Sequence, residues 1–165
     1  MEYWWYYEFI INESFLWNLD IVKKISFEDF FAFLQAVEQD FVPPLLDRID
    51  INAYYKKVNE YATMGECYCQ DELVGLIISY DNDIESCKGY TTFCAVRGDF
   101  RGNNIVGMLL ERACSHAKAQ GMRVMGLHTY NEIAKRCYMK NGFTIKESIF
   151  IKEYNLTKYY LERKL

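Results

Sequence analysis

Histidine is nearly absent from this sequence, with two in 165 residues, and proline is no commoner. The six cysteines (Cys67, Cys69, Cys87, Cys94, Cys114 and Cys137) form no C-x-x-C pair and have no histidine cluster beside them. The usual zinc and redox frames are therefore excluded, no metal is expected, and the thiols read as free in a reducing, cytoplasmic setting. No apolar run approaches the roughly 20 residues of a membrane span, and the start lacks a basic stretch followed by an apolar core, so no membrane partner is expected. Basic charge is also short: the net charge is −4 and the pI about 5.3, which weighs against nucleic acid as a partner. No repeat, low-complexity tract or linker interrupts the chain. Its length suits one domain spanning residues 1–165, able to bury roughly 70% of its unfolded surface.

Aromatic residues are what the chain has in plenty. Tyr3, Trp4, Trp5, Tyr6, Tyr7 and Phe9 crowd its beginning, and residues 1–15 read as an aromatic N-terminal extension. Such a stretch fits a packed extra strand, a contact between two copies in a homodimer, or a stacking surface for a sugar. Rough alternation over 16–25 predicts a strand. Ser26 then caps a helix that carries Phe27, Phe30, Phe31, Leu34 and Val37 on one side, with Asp29 in its first turn. Pro43-Pro44 stops that helix and makes 42–50 a loop; a second helix, capped by Asn52, holds Tyr54, Tyr55, Val58 and Tyr61. Strands follow over 66–70 and 73–80, joined at Gln70-Asp71-Glu72, and again over 89–96 after the turn at Asp81-Asn82-Asp83, giving three antiparallel strands.

The chemistry concentrates in 93–121. Phe93-Cys94-Ala95-Val96 ends a buried strand; a turn rich in Gly, Asn and Arg runs from Arg97 to Asn104; an apolar-periodic helix then continues to Gln120 and closes at Gly121. A helix start after such a turn attracts anions, because unpaired amides and the positive end of the helix dipole coincide there. Arg101 adds a charged fork of donors suited to phosphate. An ordinary strand-to-helix connection with a surface arginine would look the same on this stretch alone. His116, at the edge of the helix's apolar face, reads as a partly exposed histidine without a catalytic part. Residues 123–129 predict a strand parallel to the one ending at Val96, and 144–151 and 154–165 predict two more, the last with helical character over 158–165. Between them Asn131, Ala134 and Tyr138 share one face of a short helix ended by Asn141-Gly142.

These two segments resemble the Gcn5-related N-acetyltransferase (GNAT) family. Its second motif, Asn-x-x-Ala-x-x-x-Tyr-x-x-x-Gly-Phe, is met at Asn131, Ala134, Tyr138, Gly142 and Phe143. Its first, Arg-x-x-Gly-x-Gly/Ala before a helix, is met at Arg101, Gly102, Leu109 and Leu110 but departs at both glycines, which are Asn104 and Val106. The resemblance implies an α/β (α+β) fold: a mixed, mostly antiparallel sheet with two splayed parallel central strands, flanked by about four helices. It implies acetyl-coenzyme A as cosubstrate, with pantetheine beside Cys94 and Val96 and the pyrophosphate on the amides of Arg101, Gly102, Asn103, Asn104, Val106 and Gly107. It further implies that Asn131, Ala134 and Tyr138 border the cofactor, and that Phe41, Pro44, Arg48 and Tyr54 border the acceptor. Asn104 tolerates left-handed backbone and serves as a helix cap, whereas the Val106 methyls stand where phosphate approaches and should weaken affinity.

The implied activity is transfer of acetyl to a primary amine of a small molecule, an aminosugar being one fit, by direct attack on the thioester. Tyr138 would hydrogen-bond the departing thiolate. Several relatives carry a glutamate where this chain has Thr91, Thr92 and Phe93; His128, at the end of the second splayed strand, is the nearest alternative base, the other reading being a structural histidine with water as the proton acceptor. The alternative is a non-catalytic acyl-coenzyme A binding or interaction module, motivated by Val106 and the missing carboxylate.

Overall fold

The computed structural model describes residues 25–165, so the aromatic segment and all but the last residue of the strand expected over 16–25 lie outside the described residues. Helix α1 (Phe27–Val37) starts where Ser26 Oγ accepts from the Asp29 amide at 3.1 Å. It buries Phe30, Phe33, Leu34 and Val37, an i, i+3, i+4, i+7 stripe. Phe27 and Phe31, expected on that stripe, flank it half-buried, and Phe27 packs edge-on against Tyr55 at 5.3 Å. Helix α2 (Ile51–Tyr61) is capped by Asp50, not by Asn52: the carboxylate accepts from the amides of Asn52 and Ala53 at 3.0 and 3.1 Å, placing a negative charge at the positive end of the dipole.

Strands β1 (Thr63–Cys69) and β2 (Glu72–Tyr80) form a hairpin on Gln70 and Asp71, both left-handed at φ 49° and 66°, the geometry that matches the twist of paired strands. Strand β3 (Lys88–Val96) pairs antiparallel with β2. Helix α3 (Ile105–Ala119), strand β4 (Val124–Thr129), helix α4 (Glu132–Lys140) and strands β5 (Thr144–Ile151) and β6 (Leu156–Lys164) complete the chain; the helical character expected over 158–165 is overridden by pairing of β6 with both β4 and β5. The six-stranded sheet has the order β1-β2-β3-β4-β6-β5, with β3 and β4 its parallel pair.

Adjacent residues of β2 point to opposite faces, and each face has its own core. Leu76 and Ile78 meet Phe30, Leu34, Val37 and Val58 of α1 and α2, whereas Ile77 belongs with Ile105, Leu109 and Leu110 of α3, Met125 and Leu127 of β4, and Tyr138 of α4. Helix α3 seats closely on the sheet because Gly75 carries no side chain: a Cβ there would stand 2.9 Å from Ile105 Cγ2 and 3.2 Å from Leu109 Cδ1. No helix among the described residues is long and apolar enough to cross a membrane.

Candidate active site

The parallel pairing of β3 with β4 runs only from Lys88↔Val124 to Thr91↔Leu127. Beyond it β3 continues for five residues to Val96 and β4 for two to Thr129, so the strands part. A bulge marks the place: Ser79 pairs with Thr91 and Ile78 with Phe93, leaving Thr92 unopposed. The bulge reverses the facing of the last four residues of β3, putting Phe93 and Ala95 in the α1/α2 core and Cys94 and Val96 against the α3/α4 core. The Arg97 amide donates to Val74 O at 3.0 Å, so alternation turns the backbone groups of Ala95 toward β2 and those of Cys94 and Val96 toward the gap.

At the open end of β3 the turn into α3 is held by its own side chains. Arg97 pairs with Glu72 and Asp99, each at 2.8 Å, and lies 5.1 Å over the Phe100 ring; Asn103 Nδ2 donates to Phe100 O at 3.0 Å. Gly102 (φ 87°) and Asn104 (φ 58°) supply the left-handed positions. Asn104 thus replaces a glycine in conformation, but its side chain makes no capping bond. The first helical bond is Met108 N to Asn104 O at 3.1 Å, and among the described residues the amides of Ile105, Val106 and Gly107 have no partner. Gly107 must lack a side chain, since a Cβ would stand 2.5 Å from Asn104 Oδ1 and 3.0 Å from Asn141 Oδ1. Val106 is half-buried and packs on the α3/α4 core, which draws part of its methyl surface away from the amides. The Arg101 guanidinium is not turned to those amides: its Nε donates to Val96 O at 3.1 Å and its Nη2 pairs with Asp40.

The second motif is the punctuation of α4. Asn131 Oδ1 accepts from the amides of Ile133 and Ala134 at 2.8 and 3.1 Å, and Ala134 packs half-buried on the core. At the other end Phe143 N donates to Tyr138 O and Gly142 N to Met139 O, both at 3.1 Å, with Gly142 left-handed at φ 84°. This is a Schellman closure, whose usual apolar contact is here the Tyr138 and Phe143 rings, 6.1 Å apart. Tyr138 is thereby buried, and among the described residues its hydroxyl has no hydrogen-bond partner. Burial, with the Cys94 and Cys137 thiols nearby, holds its pKa well above the ordinary 10. Burial likewise pushes the Cys94 thiol up to about 12, with Cys137 adding to it.

His128 lies on the opposite face of the sheet, since its neighbour Leu127 is buried in the α3/α4 core. Its Nδ1 is hydrogen-bonded to the Tyr90 hydroxyl, and its ring lies 4.7 Å from that of Tyr160, whose hydroxyl donates to Glu162 at 2.7 Å. Partial burial and Lys158 lower the His128 pKa below the ordinary 6.5, against the opposing pull of Glu147. Tyr90 and Tyr160 escaped the sequence reading because nothing local shows that three separate strands bring them to one histidine. Of the residues expected around the acceptor, Phe41 stacks on Phe93 at 5.3 Å, and Tyr54 packs on Phe30 at 5.9 Å with its pKa pushed up to about 12 by burial and Tyr80, opposed by Thr92. These two stand beside the point where the strands part. Pro44 and Arg48 instead face solvent. His116 is held outside this site by Asp81 at 2.5 Å, and Asp81 also accepts from Thr63 at 3.0 Å.

No curated protein matches the sequence. Among solved structures, an acetyltransferase of the GNAT family from Streptococcus pneumoniae is similar with a TM-score of 0.74 and 18% identity, over 91% of this chain and 99% of that one. The ribosomal-protein-S18-alanine N-acetyltransferase from Escherichia coli is similar with a TM-score of 0.72 and 12% identity, over 90% and 94%. The PaiA N-acetyltransferase from Thermoplasma acidophilum, solved in complex with coenzyme A, gives 0.65 and 16%, over 91% and 99%. At these identities the likeness establishes the fold: a mixed α/β domain with one parallel pair in a mostly antiparallel sheet. A family model described as Acetyltransferase (GNAT) family matches residues 22–143, most of the sequence, and the chain belongs to that family.

Proposed function

We propose that this protein transfers acetyl from acetyl-coenzyme A to a primary amine of a small molecule by direct attack on the thioester. The observation that carries this reading is the parting of β3 and β4 beyond Thr91 and Leu127, with unpartnered α3 amides at one side and the Tyr138 hydroxyl at the other. Gly102, Asn103, Asn104, Val106 and Gly107 would receive the diphosphate on backbone amides, and Cys94 and Val96 the pantetheine on strand backbone. The Val96 amide would polarise the thioester carbonyl; a donor fixed in a strand needs no reorganisation as charge develops. Asn131 and Ala134 would border the cofactor from α4.

Tyr138 donates a hydrogen bond to the sulfur that departs. Its raised pKa makes full proton transfer costlier than the roughly 2 kcal/mol that separates an ordinary phenol from a thiol, so the bond strengthens with charge while the proton stays. The acceptor approaches from the α1/α2 face, between Phe41, Tyr54 and His128. Presenting a lysine-like amine neutral at pH 7 costs about 4 to 5 kcal/mol. His128, kept neutral by its lowered pKa, takes the proton when Nδ1 is turned to Tyr90 and Nε2 to the amine.

Release of free thiol from acetyl-coenzyme A with an amine panel that includes aminosugars and short peptides tests this. One or more small amines should respond, and Tyr138→Phe should lower kcat by about 100-fold while KM for acetyl-coenzyme A moves little. Silence across the panel sinks the reading. The absence of a carboxylate at Thr91, Thr92 and Phe93 favours one rival, a non-catalytic acyl-coenzyme A binding module. That module would bind coenzyme A with Tyr138→Phe indistinguishable from wild type.

A further inference from the structure

Arg101 is the residue that charge alone would assign to the phosphates, yet its donors are directed elsewhere. Nε meets Val96 O at 3.1 Å, and Nη2 meets the Asp40 carboxylate. Val96 is the last residue of β3, and its carbonyl is turned to the gap. Asp40 ends the short turn Glu38–Asp40 and immediately precedes Phe41, whose ring stacks on Phe93 at 5.3 Å. One planar guanidinium therefore joins three things: the free end of β3, the turn into α3, and the end of the turn Glu38–Asp40 that leads into the loop on the acceptor side. Only a fork of fixed donors reaches both oxygens together, and lysine, with one point of charge, would not. The carboxylate also neutralises the cation, which leaves backbone amides as the anion donors of the turn. The pair is half-exposed, with side-chain exposures of 51% and 35%, so its weight lies in geometry more than in stability.

We propose that Arg101 is a positioning residue that ties the cofactor turn to the acceptor loop through Asp40 and Val96, and that Asp40 thereby governs acceptor binding. This rests on the proposed acetyltransfer for its kinetic consequence, but the bridge itself is testable without turnover. The Arg101 Nε–H resonance should be resolved and slow to exchange in the wild-type protein, should persist when coenzyme A is added, and should broaden in Asp40→Asn. A resonance that exchanges as fast as those of other exposed arginines, or that is unaffected by Asp40→Asn, overturns the bridge.

In the enzyme assay, Asp40→Asn and Arg101→Lys should each raise the acceptor KM about tenfold while the dissociation constant for coenzyme A stays within about twofold. The double variant should be no worse than either single one. Arg101→Lys keeps the charge, so a phosphate ligand would largely survive it, whereas the bridge would not. Salt-dependent loss of coenzyme A affinity in Arg101→Ala, with Asp40→Asn silent in every readout, would make Arg101 a phosphate ligand and overturn the proposal. Absence of any acetyl transfer withdraws the proposed function instead, and the resonance then decides the bridge.

Discussion

Tyr138 and His128 stand on opposite faces of the sheet, and each has its protonation set by where it stands. The phenol is buried among apolar groups and thiols and keeps its proton; the imidazole is partly desolvated beside Lys158 and sheds its proton readily. The second shift has a measurable sign. A base acts only when unprotonated, and a folded-state pKa below 6.5 keeps His128 competent as the pH falls through that value. The acidic limb of kcat/KM for the acceptor should therefore lie below pH 6.5 and vanish in His128→Ala. A limb at or above 6.5 that survives the substitution would remove His128 from the chemistry.

At the scale of the element, α3 presents its first-turn amides at a position fixed by how closely it lies on β2. Gly75 allows that approach, and Ala there would meet Ile105 Cγ2 at 2.9 Å, Leu109 Cδ1 at 3.2 Å and Cys67 Cβ at 3.3 Å. Two of those atoms belong to a well-packed helix, so overpacking should cost about 1 to 3 kcal/mol in urea unfolding. Because Ile105 opens α3, coenzyme A affinity should fall in the same variant. An unchanged urea midpoint would mean that α3 rides on other contacts. Helix α4 differs: its end was legible in the sequence, because Asn141-Gly142 is a local stop, whereas Asn131, expected on the helix face, sits just outside the helix and caps it.

Across the whole molecule the two cores enclose β2 and β3 from both sides, while every residue of β5 from Thr144 to Phe150 is exposed, including Ile149 at 49% and Phe150 at 56%. Local opening follows such differences in burial. Amides of Leu76, Ile77 and Ile78 should exchange with solvent slowest among the strands, and those of Glu147 to Ile151 at least about 100-fold faster. Equal protection would show that β5 is covered in solution by something bound to it.

What the sequence determined by itself was whatever depends on neighbours in the chain. Ser26 as a cap, the 3.6-residue period of α3 and the Asn141-Gly142 end of α4 need only local backbone chemistry, and each is in place, whereas α1 ends at Val37 in the turn Glu38–Asp40, before the paired prolines are reached. At α2 the cap expected at Asn52 falls instead to Asp50, because a carboxylate one position outside the helix reaches the amides of Asn52 and Ala53 at once. The tertiary structure decided what depends on distant partners: the bulge at Thr92 where β3 leaves β4, the Tyr90 and Tyr160 rings around His128, and the direction of Arg101. Arg101 shows the reason most plainly. Its motif position marks it for phosphate, but a carboxylate 61 positions earlier in the chain takes its guanidinium once α1 has folded onto the sheet.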